Sequence, residues 1–153
     1  MDLELRDVTP DNWRKINSLE VKEEQKGFVA SNVTILARAF AYRNYNSKVY
    51  VVYNENNPIG LIMQRDYLED NKVICILDQF MIDKNYQGKG FGREAMELWM
   101  SMIKNEGKYD SIMLCYIEGN ILAERMYESL GFVRCPEEDD EDELVMVYEL
   151  SHR

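Results

Sequence analysis

A glycine-rich turn in the middle of the chain has the composition of an anion-binding site. Gly88, Gly90 and Gly92 follow an apolar run that ends at Ile82, and apolar residues at helical spacing resume at Ala95. Glycines let backbone N–H groups crowd around an anion, and the N-terminus of the following helix adds a partial positive charge. The segment therefore predicts a site for a phosphate or pyrophosphate group.

The spacing of these glycines separates three classes of phosphate-binding turn. A P-loop requires GxxxxGK[ST], which the chain lacks, and a dinucleotide-binding fold requires GxGxxG, whereas residues 88–92 read GxGxG. The remaining pattern, [Q/R]xxGx[G/A], is matched by residues 87–92. The alternative explanation of three close glycines is a tight turn that binds nothing.

The composition argues against several other kinds of site. The only histidine is His152, which leaves almost nothing for a Ser-His-Asp triad or a histidine-based metal site. Cys75, Cys115 and Cys135 are far apart and outside any CxxC spacing, so we expect reduced thiols. We therefore expect neither a metal ion nor a disulfide scaffold.

The net charge of −10 disfavours binding to nucleic acid. Seven consecutive acidic residues, 137–143, contribute most of that charge. An acidic protein attracts cations, and polyamines are small-molecule cations, but such a run is also typical of a solvated loop. No apolar run approaches the roughly 20 residues of a membrane span, and the N-terminus lacks a signal-peptide pattern. These features predict one cytoplasmic domain over residues 1–153.

Hydrophobic periodicity predicts the element order β-α-α-β-β-β-α-β-α-β-β, a mixed α/β domain. In the second helix, Val33, Leu36, Ala37 and Phe40 are spaced as the apolar face of an amphipathic helix. Strands are predicted over 3–8, 49–53, 59–65, 73–82, 111–116, 132–135 and 144–150, and helices over 10–21, 33–40, 95–106 and 123–130.

Two motifs together resemble one known family. The glycine turn is similar to motif A of the GNAT family of N-acetyltransferases, and the pattern NxxAxxxYxxxGF from Asn120 to Phe132 is similar to a second motif of that family. The resemblance covers nearly the whole chain. It implies the GNAT fold, a mixed and mostly antiparallel twisted sheet of about seven strands with about four helices, and acetyl-CoA as cosubstrate.

The resemblance also implies which residues bind acetyl-CoA. Main-chain N–H groups of the turn would hold the pyrophosphate, and the preceding strand would pair its backbone with the pantetheine arm as an added strand does. Lys89 and Arg93 would add positive charge near the phosphates, and a role as solvated surface side chains is an equal alternative for both. The residues assigned in this way are Phe80, Met81, Ile82, Gln87, Gly88, Lys89, Gly90, Phe91, Gly92, Arg93, Asn120 and Tyr127.

Within the family the chain looks closest to diamine and spermidine/spermine acetyltransferases, which implies a polyamine acceptor. Tyr127 would donate a proton to the departing thiolate. Asp78, a carboxylate in an apolar strand, is the predicted base, with a water-mediated or purely structural role left open. Glu20, Glu23 and Glu24, between the first two helices, are predicted to bind the remote ammonium groups of the acceptor.

Other functions remain open on the sequence. The same chemistry on an aminoglycoside, an amino acid or a protein N-terminus would use the same motifs. A non-catalytic acyl-CoA-binding module is the alternative from a different class, although the intact turn and Tyr127 argue against it. A homodimer is expected only because members of the family are often dimers.

Overall fold

A computed structural model describes residues 2–150 of the chain. His152 lies outside the described residues. The strands are β1 (Leu3–Asp7), β2 (Lys48–Asn54), β3 (Asn57–Glu69), β4 (Lys72–Ile82), β5 (Ser111–Ile117), β6 (Val133–Arg134) and β7 (Glu143–Glu149). The α-helices are α1 (Trp13–Ser18), α2 (Asn32–Ala41), α3 (Phe91–Glu106) and α4 (Ile121–Ser129).

The seven strands of the described part form one mixed sheet in the order β1-β2-β3-β4-β5-β7-β6. All neighbouring strands are antiparallel except β4 and β5, which are parallel because α3 carries the chain across from one to the other. The predicted element order and the predicted GNAT-type sheet are confirmed. Within residues 2–150, no helix is long and apolar enough to cross a membrane.

The pairing of β4 with β5 is short, and this shapes the site. The register runs from Ile74 opposite Ser111 to Leu77 opposite Leu114, and no pairing between these strands continues beyond it among the described residues. On its other edge β4 remains paired with β3 as far as Ile82. The two parallel strands therefore separate past Leu77 and Leu114 and leave the β5-facing edge of β4 open.

Each face of the sheet carries its own hydrophobic core. On one face α3 buries Met96, Trp99 and Ile103, and these residues pack with the side of β5 that carries Ile112 and Leu114. On the other face α1 and α2 bury residues such as Ile16 and Ile35 against β2 and β3. Because side chains alternate along a strand, neighbouring residues of β5 point to opposite faces.

The first helix is shorter than predicted. It begins at Trp13 rather than Pro10 and ends at Ser18 rather than near Val21. The buried Asn12 explains the later start: its amide donates to Asp7 O and Tyr53 Oη, at 3.0 and 3.1 Å, and its Oδ1 accepts from Thr9 N at 2.8 Å. These bonds stabilise a non-helical turn at residues 9–12.

The second helix turns a different face to the core from the one that its apolar pattern indicates. Val33 is 60% exposed and Phe40 is 68% exposed, whereas Asn32 and Ile35 are buried. The Asn32 amide donates to Ile16 O and Leu19 O at 2.7 and 3.1 Å, which ties α2 to the end of α1. Hydrogen bonding of Asn32 therefore contributes to the orientation of this helix.

Candidate active site

A cavity of about 610 Å³ lies where β4 and β5 separate. It is lined by residues 77–82 of β4 and 115–117 of β5, by residues 27–30 before α2, and by parts of the glycine turn and of α4. We call the wall formed by residues 27–30, Asp78, Gln79, Cys115 and Glu143 the α2 side. The wall formed by Phe80, Ile82, Gly88, Gly92, Tyr116 and Tyr127 is the α3 side.

The glycine turn lies at the N-terminus of α3. Gly88 and Gly90 have φ angles of +75° and +88°, in a region that residues with side chains rarely adopt. Gly90 is the N-cap of α3, a helix of 16 residues. Free N–H groups of the first helical turn and the helix dipole therefore face the cavity end at which the turn lies, which is the arrangement that binds phosphate.

The structure brings most of the predicted cosubstrate residues to one cavity. The predicted residues that line it are Phe80, Met81, Ile82, Gln87, Gly88, Gly92, Asn120 and Tyr127. Phe91 is instead buried in the core under α3. Lys89 Nζ donates to Asn85 O at 3.3 Å, and Arg93 bonds to Ser129 and pairs with Glu97 at 3.6 Å. These internal contacts favour the surface role that was left open for Lys89 and Arg93.

Tyr127 is buried on α4 and faces the cavity from the α3 side. Asn120 caps α4 by accepting a hydrogen bond from Ala123 N at 3.4 Å. The ring of Tyr127 lies 5.9 Å from that of Phe132 and 6.5 Å from that of Tyr116, measured between centroids. A tyrosine is protonated at neutral pH, and burial raises the pKa of the Tyr127 phenol further, so its hydroxyl carries a proton that it can donate.

Asp78 reaches the α2 side because of a β-bulge. Met63 of β3 pairs with Gln79 and Gln64 pairs with Leu77, so Asp78 is an extra residue in β4 without a partner in β3. A bulge of this kind breaks the alternation of side chains. Consequently Asp78 and Gln79 both point toward α2, where Gln79 Oε1 accepts from Ala30 N at 3.4 Å.

Two arginines saturate the carboxylate of Asp78, whose side chain is only 3% exposed. Arg38 of α2 donates to both carboxylate oxygens at 3.0 Å, and Arg65 Nε donates to Oδ2 at 2.7 Å. Burial alone would raise the pKa of Asp78, but the hydrogen bonds from Arg38 and Arg65 outweigh it and the pKa lies below its usual value. A carboxylate held in this state is a weak proton acceptor.

The three glutamates predicted to bind the acceptor do not line the cavity among the described residues. Glu20 pairs with Lys84 at 2.7 Å, and that hydrogen bond lowers the pKa of the Glu20 carboxyl. Glu23 pairs with Lys26 at 3.1 Å, and Glu24 is exposed. The structure therefore places them beside the site as surface residues.

Comparison with known proteins assigns the family. Residues 11–132 match the family model described as "Acetyltransferase (GNAT) family". The chain belongs to the GNAT family. Its class of activity is that of an acetyl-CoA-dependent acetyltransferase.

Two curated relatives match over nearly the full length of the chain. The chain is 35% identical to a probable spermine N(1)-acetyltransferase of Bacillus subtilis subsp. natto (strain BEST195), over 98% of this chain and 100% of the relative. It is 34% identical, with the same coverage, to the spermine/spermidine N(1)-acetyltransferase of Bacillus subtilis (strain 168).

A solved structure supports the fold. An aminoglycoside acetyltransferase in complex with coenzyme A superposes with a TM-score of 0.79 at 16% identity, over 97% of this chain and 95% of that one. At this identity the likeness concerns the GNAT fold alone.

Sequence reasoning missed most of the α2 side of this GNAT site. Residues 27–30 carried no motif, and Cys115 was assigned only as a reduced thiol. Glu143 belongs to the acidic run 137–143, for which attraction of cations and a solvated loop were both left open. It begins β7, where it pairs with Ile117 and therefore shares the face that points to the cavity. The only available signal was the change from acidic to apolar residues after position 143.

Proposed function

We propose that this GNAT enzyme transfers the acetyl group of acetyl-CoA to a primary amine of a polyamine or diamine, spermidine and spermine being the main candidates. One observation carries the proposal: among the described residues, Asp78 and Glu143 are the only charged side chains that line the cavity, and because Arg38 and Arg65 pair with Asp78, Glu143 is the lining carboxylate available to a cation. Both are carboxylates on the α2 side, and Phe28, Val29 and Ile117 form apolar walls beside them. Ammonium groups spaced by methylene chains fit such a surface.

The chain's own residues divide the work of positioning and proton transfer. The glycine turn and the open edge of β4 hold the cosubstrate, which supplies a thioester when bound. Tyr127, which is protonated at neutral pH, donates its proton to the sulfur as the C–S bond breaks and the amine nitrogen bonds to the acetyl carbon. The acetylated nitrogen loses one proton to solvent, and solvent returns a proton to the Tyr127 phenol. Glu143 pairs with a remote ammonium group of the acceptor and leaves the reacting amine free.

For Asp78 we favour the structural role among those left open by the sequence. Its oxygens accept hydrogen bonds from Arg38, Arg65 and Gln79, so the reacting ammonium cannot bind them without displacing an existing donor. Asp78 then fixes α2 against the bulge of β4 and shapes the α2 side of the cavity. The amine enters the reaction already neutral, from the small fraction that is unprotonated in solution.

This assignment predicts a particular pH dependence. An alkylamine has a pKa of about 10, so its neutral fraction rises about tenfold per pH unit below that value. If the enzyme uses the neutral amine, log kcat/KM for the acceptor rises with a slope near 1 from about pH 7 to about pH 9. A flat profile over the same range would instead indicate an internal base that accepts the proton after binding.

The acceptor is tested by measuring coenzyme A release with a panel of amines. The panel contains spermine, spermidine, putrescine, an aminoglycoside, aspartate and a peptide with a free N-terminus. Selective turnover of spermidine or spermine is the expected result. Selective turnover of the aminoglycoside, aspartate or peptide would overturn the polyamine assignment and leave the family assignment intact.

Glu143 provides a sharper test, since it is one carboxylate of an acidic run. Glu143→Gln is expected to raise the KM for spermidine about tenfold, the effect of one charge-assisted hydrogen bond of about 1.4 kcal/mol, with kcat little changed. Glu138→Gln is the matched control, because it removes the same charge from the same run at a position that does not line the cavity. Equal effects of both substitutions would mean that only the general field of the run matters.

A homodimer and a cytoplasmic location are retained as predictions. Neither is needed for the chemistry proposed for the described site.

A further inference from the structure

The segment that forms the acceptor wall is fastened to the segment that binds the pyrophosphate. The acceptor wall is made by residues 27–30, directly after a 3-10 turn at Glu23–Gln25. The glycine turn begins with Gln87, and both Gln25 and Gln87 line the cavity. These positions are 62 residues apart in the chain, so their contact is a product of the tertiary fold.

The contact is a reciprocal pair of amides. Gln25 Nε2 donates to Gln87 Oε1 at 3.0 Å, and Gln87 Nε2 donates to Gln25 Oε1 at 2.9 Å. Gln87 Nε2 also donates to Ile82 O at 2.9 Å, at the end of the strand predicted to hold the pantetheine. The Gln87 side chain is therefore bound on one side to the cosubstrate strand and on the other to Gln25.

Gln25 passes this constraint to the acceptor wall through its own backbone and side chain. Phe28 N donates to Gln25 O at 2.9 Å, which fixes the first bulky residue of the wall. Lys22 N donates to Gln25 Oε1 at 3.0 Å and closes the 3-10 turn. Residues 27–30 otherwise lie outside any helix or strand, so these bonds are a large part of what orders them.

A second set of hydrogen bonds holds the chain at Glu20, on the N-terminal side of the 3-10 turn. Buried Asp83, just after β4, accepts from Glu20 N at 2.9 Å and from Asn85 N at 3.1 Å. Lys84 N in turn donates to Glu20 O at 2.8 Å. These bonds hold Glu20 whether or not the glycine turn is occupied. The amide pair of Gln25 and Gln87 is then the contact that lies next to both the cosubstrate position and the acceptor position.

We propose that Gln25 is a positioning residue that couples occupation of the glycine turn to the order of the acceptor wall. A cosubstrate that fixes Gln87 also fixes Gln25, and through it residues 27–30, so the acceptor loses less conformational freedom when it binds second. By linkage the acceptor must tighten cosubstrate binding by the same factor. The proposal rests on the proposed function in placing the cosubstrate at the glycine turn and the acceptor at residues 27–30.

The coupling factor is measured with coenzyme A and spermidine, a pair that does not turn over. Isothermal titration gives the Kd for spermidine with and without saturating coenzyme A. In the unmodified protein we expect coenzyme A to lower that Kd by at least about fivefold, within the usual range of coupling between sites. In Gln25→Ala the factor is expected to fall below about twofold, and Gln25→Glu, which keeps one of the two amide bonds, should retain part of it.

Lys22→Gln is the matched control on the same 3-10 turn, because the described structure shows no hydrogen bond or ion pair for that side chain while its backbone bond to Gln25 is kept. A merely structural role of Gln25 would lower the unfolding temperature and leave the coupling factor unchanged. An equal factor in Gln25→Ala and the unmodified protein would therefore overturn the proposal.

A second measurement decides the proposal even if the acceptor is not a polyamine. Amide hydrogen exchange in residues 27–30 is expected to slow when coenzyme A alone is added, and this slowing should disappear in Gln25→Ala. No slowing in the unmodified protein would overturn the coupling. Binding of coenzyme A without any binding of spermidine would overturn the acceptor assignment, and exchange would still decide the role of Gln25.

Discussion

The two sides of the cavity are built in different ways. The α3 side comes largely from one continuous stretch, in which a strand, a glycine turn and a helix follow each other between Lys72 and Glu106. The α2 side is assembled from residues 27–30, the bulge at Asp78, Cys115 and Glu143, which come from four separate parts of the chain. In the proposed function the first side holds the cosubstrate, and the second side holds the acceptor.

This difference explains why the two sides depend on different kinds of interaction. The α3 side relies on backbone groups and on glycine conformations, which tolerate little change. The α2 side relies on side-chain contacts across the fold, such as the pairing of Arg38 with Asp78. Such contacts can be replaced one by one, so the acceptor can change while the fold and the cosubstrate are kept.

The largest effect is expected at Tyr127, which lies on the α3 side but serves the reaction with the acceptor. Tyr127→Phe keeps the buried ring and removes the proton donor, so kcat should fall by about 10²- to 10⁴-fold. The Kd for coenzyme A, measured by titration, should stay within about twofold. A parallel loss of coenzyme A affinity would mean that the Tyr127 hydroxyl also binds the cosubstrate, and the fall in kcat would then not be evidence of proton donation.

A stability effect is expected on the α2 side. Asp78→Asn leaves Arg38 and Arg65, 37% and 22% exposed, without a counter-charge, so the free energy of unfolding at pH 7 should fall by about 2–4 kcal/mol in a urea titration. Glu97→Gln, which breaks an exposed ion pair with Arg93, should cost less than about 1 kcal/mol. Similar losses would show that the bridge at Asp78 is no stronger than a surface pair.

The ion pairs of Asp78 also determine how the stability of the fold changes at acid pH. An unfolded aspartate has a pKa of about 3.9, and the folded pKa of Asp78 lies lower because its arginine partners outweigh burial. Ionised Asp78 therefore stabilises the fold above about pH 4, and that contribution is lost as the pH falls through the folded pKa. In Asp78→Asn the decline of stability below about pH 4 should be correspondingly shallower.

The smallest effect isolates the backbone of the α3 side. Gly88 and Gly107, at opposite ends of α3, have φ angles of +75° and +65°, and an added Cβ meets nothing within 4 Å at either. Alanine at either position should therefore cost about 1 kcal/mol of stability. Only Gly88→Ala should also weaken coenzyme A binding, by about tenfold, since only Gly88 lines the cavity. Equal affinities in the two variants would place the pyrophosphate away from this turn.

Features that depend on local sequence could be predicted, whereas features that depend on contacts between distant segments could not. The sequence predicted the glycine turn, the motif around Tyr127 and the order of helices and strands along the chain. Each of these depends on residues that are close together in the sequence. The start of α1 and the orientation of α2 were not predicted, because buried Asn12 and Asn32 bond to backbone groups of other segments. An apolar stripe on α2 was therefore read as the core face although Val33 and Phe40 are exposed.

The sequence by itself determined the family, the fold and the place of the glycine turn, because local spacing dictates where a strand ends, a turn reverses and a helix begins. Only the tertiary structure decided which acidic residues face the cavity. It placed Glu143 in the cavity and the predicted Glu20, Glu23 and Glu24 outside it, and it gave Asp78 two arginine partners. The physical reason is that burial and charge pairing depend on contacts between distant residues, which no local pattern encodes.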